Sequence, residues 1–317
     1  MFFTRRSIVV ESPTILLNPK YYPLTYNEPE KKDMAVIMVY FNATKSVRIA
    51  QNILLVKQYL DNANIPYYIG ELSIDGSPYL FKESPNIFHY KTDDYMFYKE
   101  NLINLLEVRI PDEYTKICNI DADIFFDNPN WYTLISSKLD QVDICQPFNT
   151  ANWLNIENNK ITMTRKNSIV DKDGHQGFVW AFTRKWFGQY KLPDFCITGG
   201  GDACFRIVIV ENAILTNKYF SYIYTNMDSY IKNIKSPPVL GDTDINIYHL
   251  YHGSLKNRQY SERQFDIINT LKRFGLNNLD DVIDYDENGL RCWKEPYKQP
   301  MNDLIKKYLC NRNDDGI

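Results

Sequence analysis

The feature that most constrains the fold is a continuous apolar run, Met34 to Phe41, with the sequence MAVIMVYF. A strand with one face in water alternates apolar and polar residues, whereas a parallel strand covered by helices on both faces is apolar throughout. The run is followed by Asn42 and Thr44, residue types that commonly begin helices. It therefore predicts a buried parallel strand that leads into a helix.

Predicted strands and helices alternate from this run to residue 120. The first helix extends to about Leu60, and its apolar residues recur at helical spacing. The elements that follow are strands at 65–72 and 86–90, a helix at 95–109 and a strand at 116–120. This alternation predicts an α/β fold in which helices flank a mostly parallel central sheet. Such sheets bind ligands in a crevice at the carboxyl ends of their strands.

The chain divides into three predicted regions. Residues 1–33 contain several prolines and scattered charges, and we expect an irregular leader packed on the domain. Residues 34–255 form the domain itself, with further strands at 142–147 and 177–182. Residues 256–317 are polar and are predicted to form a mainly helical extension.

Composition excludes some classes of function. The net charge is −3 and the Lys and Arg residues form no block, which argues against nucleic acid as a partner. The six cysteines are widely spaced and include no CxxC pair, so we expect a reducing compartment. The apolar stretch after Arg5 and Arg6 is too short for a signal peptide or a membrane span. We therefore expect a cytoplasmic protein without a membrane span.

Two carboxylates follow the predicted strand at 116–120. Asp121 and Asp123 are two residues apart, and a strand directs alternate side chains to the same face. Mn²⁺ and Mg²⁺ bind carboxylate and phosphate oxygens, so the pair is a candidate cation site that can hold a diphosphate. A polar strand end that caps a helix is the alternative. The position after a buried strand favours the cation site.

A pair of histidines, His249 and His252, occurs late in the chain. In a helix or turn this spacing directs both imidazoles towards one metal ion. Gly253 permits close approach of the backbone, and Lys256 can meet phosphate charge. The alternative is two histidines at the edge of the core. With Asp121 and Asp123 available as further ligands, the metal site is favoured.

Three glycines precede a third candidate carboxylate, Asp202, in the segment Thr198 to Asp202. Glycines allow the backbone and a ligand to approach closely. Asp202 lies at a predicted helix start, where an aspartate caps the helix well. A carboxylate in this position can also accept a proton from an attacking hydroxyl group, and the two roles are compatible.

The predicted helix at 95–109 offers polar side chains near the same crevice. Lys99 can reach a phosphate or a donor sugar. Asn101 and Asn104 share the face opposite the leucines, where they contact either a nucleotide or solvent.

Together these motifs resemble the GT-A class of nucleotide-sugar-dependent glycosyltransferases, which have a Rossmann-like fold. The segment from Gln176 to Phe187 is similar to the strand and helix before the acceptor loop of animal β-galactosyltransferases. The loop Gly200-Gly201-Asp202 stands where those enzymes have Gly-Gly-Glu-Asp, and His249 stands where they have a methionine ligand. The chain also resembles uncharacterised glycosyltransferase-like proteins of bacteria and large viruses. The motifs shared with these are Lys99-Glu100 with Asn104, Asp-Ala-Asp-Ile, Gly-Gly-Gly-Asp and the segment His252 to Tyr260.

The resemblance implies a metal-dependent transfer of a sugar, with inversion, from a nucleoside diphosphate sugar based on uridine. It implies a glycan or other hydroxyl acceptor and, if the source is a virus, a location in the host cytoplasm. Mn²⁺ or Mg²⁺ would bind Asp123, His252, His249 and Asp121, and Asp202 would be the catalytic base. The residues assigned to donor binding are Asp121, Lys99, Asn101, Asn104, Lys256 and Tyr40.

Two other classes of function remain open at this point. A nucleotide-sugar hydrolase or a nucleotidyltransferase also places acidic pairs on a nucleotide-binding sheet, and it would act without a sugar acceptor. A carbohydrate-binding module would bind glycans independently of metal and would have no affinity for nucleotides. The joint presence of the acidic pair, the glycine loop and the paired histidines favours the transferase.

Overall fold

A computed structural model describes residues 21–214, 216, 218–254, 262–310 and 312–315. Its strands are β1 (Met34–Tyr40), β2 (Tyr67–Ile74), β3 (Ile87–Thr92), β4 (Lys116–Ile120), β5 (Ile124–Phe126), β6 (Ile144–Gln146), β7 (Thr150–Leu154), β8 (Ile161–Lys166), β9 (Val179–Thr183), β10 (Leu240–Asp242), β11 (Asn246–His249), β12 (Ile283–Tyr285) and β13 (Arg291–Trp293). Its α-helices are α1 (Val47–Asn62), α2 (Lys99–Glu107), α3 (Trp131–Lys138), α4 (Arg184–Tyr190), α5 (Gly201–Glu211), α6 (Tyr224–Asn233), α7 (Glu262–Arg273) and α8 (Lys298–Cys310).

The central sheet has seven strands in the order β10-β6-β9-β4-β1-β2-β3. Strands β1 to β4 are parallel to one another, and β9 is antiparallel to both of its neighbours, β4 and β6. The predicted α/β fold with a mostly parallel central sheet is therefore confirmed. The described part of the C-terminal region contributes α7, α8 and a β12–β13 hairpin.

The apolar run at the start of the domain is buried on both faces, as expected for β1. Its alternate side chains enter two separate hydrophobic clusters. Ala35 and Ile37 belong to one cluster, and Met34, Val36 and Met38 belong to the other. All five are inaccessible to solvent, so β1 has the double coverage that its composition predicts.

A second sheet, in the order β5-β11-β7-β8, begins just after the carboxyl end of β4. Strand β5 begins after the Asp121–Asp123 turn and pairs in antiparallel register with β11. Strand β11 in turn pairs with β7 in parallel register. Sequence alone did not indicate this sheet, because β5 and β11 are too short to show a periodic pattern.

No helix among the described residues combines the length and the apolar composition needed to cross a bilayer.

A buried ion pair joins the start of the central strands. The Lys116 ammonium lies 3.0 Å from an Asp33 carboxylate oxygen and donates to the Ser136 hydroxyl at 2.9 Å. Ser136 donates to the other Asp33 oxygen at 2.7 Å. Burial alone would raise the pKa of Asp33, but hydrogen bonds from Lys31, Ser136 and Lys116 lower it to about 2. The group ties β1, β4 and α3 together.

Replacing Lys116 with methionine keeps the aliphatic stem and leaves the buried Asp33 charge poorly compensated. We expect the free energy of unfolding at pH 7, measured with urea, to fall by about 3 kcal/mol. The control Lys31→Met removes an exposed partner of the same carboxylate and should lower the free energy of unfolding much less than Lys116→Met does, because solvent screens an exposed ion pair. Because the folded pKa of Asp33 lies below its ordinary value of 3.8, the difference between wild type and Lys116→Met should shrink as the pH falls from 4 towards 2. Equal losses in the two variants would contradict this role for Lys116.

Candidate metal and donor site

A cleft of about 800 Å³ lies at the carboxyl ends of β1 and β4, where the fold class predicts a ligand site. The predicted site residues that line it are Tyr40, Lys99, Asp121, Asp123, Asp202, His249 and His252. They come from several distant segments of the chain. The structure therefore brings together seven of the ten predicted site residues.

The Asp-Ala-Asp motif forms a turn between β4 and β5. The Asp121 amide donates to the Phe178 carbonyl at 2.8 Å, and the Ile124 amide donates to the Asp121 carbonyl at 3.2 Å. The two carboxylates do not act as one pair on a strand face. Asp121 lies beside Lys99, with 2.5 Å between Oδ1 and Nζ, whereas Asp123 lies beside the two histidines. The turn ends the strand before the second carboxylate, so each has a different environment.

The second sheet positions the histidines against Asp123. In the β5–β11 register His249 lies opposite Ile124, the residue after Asp123. The Leu250 amide donates to the Asp123 carbonyl at 2.9 Å. Backbone pairing thus fixes where β11 ends, and the turn after it returns His252 to the same carboxylate.

Three ligand atoms converge at this point. Asp123 Oδ2 lies 2.9 Å from His252 Nε2 and 3.6 Å from His249 Nε2, and the two Nε2 atoms are 3.1 Å apart. Neighbouring ligands of an octahedral cation with bonds of about 2.1 Å are separated by about 3 Å. Among the described residues, this is the group of histidine, cysteine or acidic side chains that has the spacing of a metal site. The donor set fits a divalent first-row cation, with ring nitrogens and a carboxylate oxygen.

An aromatic side chain that the sequence did not single out holds the His249 ring. Phe178 stacks on His249 with ring centroids 4.8 Å apart and an angle of 25° between the planes. Phe178 has φ +79°, a left-handed conformation that is rare for a bulky residue. Such strain persists where surrounding structure enforces it and is concentrated at functional sites. The Phe178 carbonyl also accepts a hydrogen bond from the Asp121 amide, so this residue contacts both Asp121 and His249.

Lys99 lies at the first position of α2 and is held by the charges of the cleft. Burial alone would lower its pKa, but the charges of Asp121, Asp202 and Glu100 raise the pKa above its usual range. Lys99 is therefore a permanent cation in the cleft. Burial raises the pKa of Asp121, and Lys99 opposes that shift.

The glycine loop leads directly into α5. Gly199 and Gly200 have φ of +88° and +96°, values that L-residues rarely adopt. Asp202 lies in the first turn of α5, and its Oδ1 atom accepts a hydrogen bond from the Ala203 amide at 2.9 Å. A Cβ atom on Gly177 would lie 2.3 Å from Asp202 Oδ2, so this carboxylate fills the space that the missing side chain leaves. The loop and Gly177 together place Asp202 in the cleft.

Glu100 is a cleft residue that sequence reasoning quoted in a motif but gave no role. Its carboxyl group packs against Gly201, where an added Cβ atom would lie 2.4 Å from it. Burial raises the pKa of Glu100 to about 8, against the effect of Lys99 and together with the Asp202 charge. The sequence feature that could have pointed to Glu100 is Gly201, because a residue without a side chain leaves room for the Glu100 carboxyl group.

The structure does not bring Asn101 and Asn104 to the cleft, which corrects their assignment to donor binding. Asn101 is buried, and its amide group donates to Asp194 at 3.1 Å and to the Gly289 carbonyl at 3.0 Å. Asn104 exchanges two hydrogen bonds of 2.9 Å with the backbone of Leu192. Both face packed chain because α2 is covered on this side by the C-terminal hairpin and the turn after α4. The prediction for Lys256 lies outside the described residues.

Further positive charge lines the cleft from segments that the sequence did not mark. These residues are Arg165, Lys172, Arg263 and Arg312. The Arg263 guanidinium lies beside Gly199 and donates to the Tyr308 hydroxyl at 2.6 Å. The cleft thus combines an acidic metal-type cluster with several cations, an arrangement suited to a ligand that carries phosphates.

Comparison with known proteins finds likeness only at the level of solved structures. No family model matches the chain, and a search of curated proteins finds no match. The catalytic domain of Drosophila β1,4-galactosyltransferase 7, solved with xylobiose, has 14% identity and a TM-score of 0.34, over 72% of this chain and 98% of that chain.

Two other solved structures show likeness of the same order. Glucosyl-3-phosphoglycerate synthase from Mycobacterium tuberculosis, solved with Mn²⁺, UDP and phosphoglyceric acid, has 8% identity and a TM-score of 0.41, over 83% of this chain and 87% of that chain. The 4-diphosphocytidyl-2C-methyl-D-erythritol synthase from Anaerococcus prevotii has 8% identity and a TM-score of 0.35, over 74% and 98% of the two chains. At these scores the likeness assigns no activity to this chain.

Replacing Glu100 with glutamine removes a buried group that titrates. Its folded pKa of about 8 lies above its ordinary value of 4.5, so the neutral form stabilises the wild type below pH 4.5 and this stabilisation is lost as the pH rises to 8. We expect the Tm of Glu100→Gln, relative to wild type, to increase between pH 5 and pH 8 in scanning calorimetry. The control Glu113→Gln, at an exposed position, should show no such trend. A Tm difference independent of pH would show that Glu100 does not titrate in this range.

Proposed function

We propose that the protein is a metal-dependent glycosyltransferase that uses a nucleoside diphosphate sugar, based on uridine, and a hydroxyl acceptor. The observation that carries the proposal is the convergence of Asp123, His249 and His252 in the cleft that also holds Asp202. Carbohydrate binding alone needs no such cluster. A transferase needs both a site for a diphosphate and a group that activates the acceptor.

Asp123, His249 and His252 would hold the cation on the donor side of the cleft. Two of these three ligands are imidazoles, which suit Mn²⁺ better than Mg²⁺, because Mg²⁺ strongly prefers oxygen ligands. When bound, the cation would neutralise negative charge on the departing diphosphate. The Phe178 ring supports this arrangement because it fixes the orientation of His249.

Lys99 and Tyr40 supply the remaining contacts that we assign to the donor. The Lys99 ammonium is positioned by Asp121 and can donate to a phosphate oxygen. The Tyr40 hydroxyl lies at the end of β1 and accepts a hydrogen bond from Asn42 at 3.1 Å. Asp121 then orients Lys99, and its carboxylate can accept a hydrogen bond from a ribose hydroxyl. This division assigns cation binding chiefly to Asp123.

Asp202 is the group that we assign to the acceptor. Its carboxylate would accept the proton of the attacking hydroxyl while the acceptor oxygen bonds to the anomeric carbon and the diphosphate leaves. Attack from the side opposite the diphosphate inverts the anomeric centre. The Phe220 ring, which packs against Gly200, and the Arg263 side chain form the wall of the cleft beside this loop.

Loss of His252 should weaken binding of the donor only when metal is present. We expect UDP with Mn²⁺ to raise the Tm of the wild type, because a ligand of the native state stabilises it. For His252→Ala the affinity measured by calorimetric titration should fall at least about 100-fold. The matched control His89→Ala removes a histidine outside the cleft and should bind like wild type. Undiminished Mn²⁺-dependent binding by His252→Ala would contradict the role of His252 as a metal ligand. A panel of UDP, GDP and CDP sugars would identify the nucleotide base of the donor.

If Asp202 is the catalytic base, its replacement should lower turnover without weakening donor binding. Asp202→Asn should reduce turnover by about 10²- to 10⁴-fold and leave the affinity for UDP with Mn²⁺ within about threefold of wild type. Turnover is measured as UDP release from the preferred donor in the presence of a panel of glycan acceptors. Asp173→Asn, another carboxylate of the cleft, is the matched control. Unchanged turnover in Asp202→Asn would exclude it as the base, and equal UDP release without any acceptor would identify a hydrolase instead.

A further inference from the structure

A second groove, of about 360 Å³, lies beside α2 and shares no lining residue with the cleft. One wall is the later part of α2. The other walls are the last residue of α4 with the turn after it, together residues 190–195, and the β12–β13 hairpin. The groove is within the size range of small-molecule sites in proteins.

The two asparagines that were expected at the donor site build the walls of this groove. Asn104 binds the Leu192 amide and carbonyl, which fixes the turn after α4. Asn101 donates to the Gly289 carbonyl and accepts from the Arg291 amide at 3.1 Å, which fixes the hairpin. Because the side-chain amides of one helix hold both walls, the groove is pre-formed.

Tyr285 presents a flat ring at the edge of the groove. Its hydroxyl lies 3.1 Å from both Asp194 carboxylate oxygens, and the Arg291 guanidinium carbon lies 3.9 Å from its ring centroid. Arg291 also donates to Asp194 at 2.7 Å. One ring face is therefore covered, and yet 47% of the residue surface is exposed. The open surface is a rigid aromatic face held by an ion pair.

The charges of the groove are compensated. Its two charged lining residues are Lys191 and Asp194. Lys191 is paired with Glu107, and Asp194 is paired with Arg291. The remaining lining surface is aromatic, aliphatic and amide in character and includes Tyr190 and Tyr230 as well as Tyr285. A phosphate or another strongly charged ligand would find no free charge here, whereas a neutral, hydroxyl-rich ligand would find both flat apolar surface and hydrogen-bond acceptors.

We propose that this groove is a second binding site, for a neutral carbohydrate whose ring stacks on Tyr285. The apolar face of a pyranose packs on an aromatic ring, and its hydroxyls donate to Asp194 and to backbone carbonyls of the turn after α4. A protein partner would need about 800 Å² on each side, a larger surface than this groove offers. Because α2 also supplies Lys99 to the cleft, a glycan held in the groove is kept at high local concentration near the site of the proposed transfer.

The test is direct binding of neutral trisaccharides to the 317-residue chain. Cellotriose, chitotriose and xylotriose are titrated in saturation-transfer NMR without nucleotide or metal. We expect at least one of them to bind, Tyr285→Ala to weaken that binding about tenfold, and Tyr285→Phe to stay within about threefold because the ring remains. Tyr79→Ala, another exposed tyrosine, is the matched control and should bind like wild type. Circular dichroism confirms that each variant is folded.

Three outcomes would overturn the proposal. The first is that no trisaccharide binds the wild type. The second is a binding signal that survives Tyr285→Ala and is lost in Asp202→Asn, which would assign the sugar to the cleft. The third is a dimer in sedimentation analysis that Tyr285→Ala dissociates, which would assign the groove to a second copy of the chain. None of these measurements depends on catalysis, so the glycosyltransferase proposal stands or fails separately.

Discussion

The backbone pairing of β11 with β5 is the interaction on which the candidate site depends. It joins a strand late in the chain to the turn that carries Asp123, and it sets His249 one position from that carboxylate. The Leu250 amide completes the pairing on the Asp123 carbonyl itself. Strand register is fixed by a ladder of main-chain hydrogen bonds and by burial of alternate side chains, so it positions an imidazole more firmly than a loop would. Phe178 then restricts the ring of His249 from the other side.

The pKa values of the charged groups in the cleft depend on three carboxyl groups that surround one lysine. Asp121, Glu100 and Asp202 all act on Lys99, and burial strengthens each of these interactions. As a consequence, Lys99 remains protonated and positively charged, whereas the buried Glu100, with a pKa of about 8, keeps its proton and is neutral at lower pH. Fixed charge of this kind costs stability, since desolvation of ionised groups is unfavourable, and its presence in a cleft is typical of sites that perform chemistry.

Helix α2 separates two surfaces with different chemistry. Its first residues, Lys99 and Glu100, face the cleft, and Asn101 and Asn104 hold the walls of the groove on the other side. The cleft carries carboxylates, imidazoles and cations that suit a charged donor and a metal ion. The groove has paired charges and an exposed tyrosine ring that suit a neutral ligand. One short helix therefore connects the proposed transfer site to the proposed carbohydrate site.

The amino-acid sequence by itself determined the α/β class and the buried strand from Lys116 to Ile120, because these depend on local apolar patterns and turn residues. It also identified the carboxylates and histidines, since few residue types can bind a cation or accept a proton. Only the tertiary structure decided which groups meet. In the folded protein Asp121 pairs with Lys99, and Asp123 pairs with the histidines. Asn101 and Asn104 bind backbone outside the cleft. These outcomes depend on the register of two short strands and on packing between segments far apart in the chain, and neither leaves a periodic signal in the sequence.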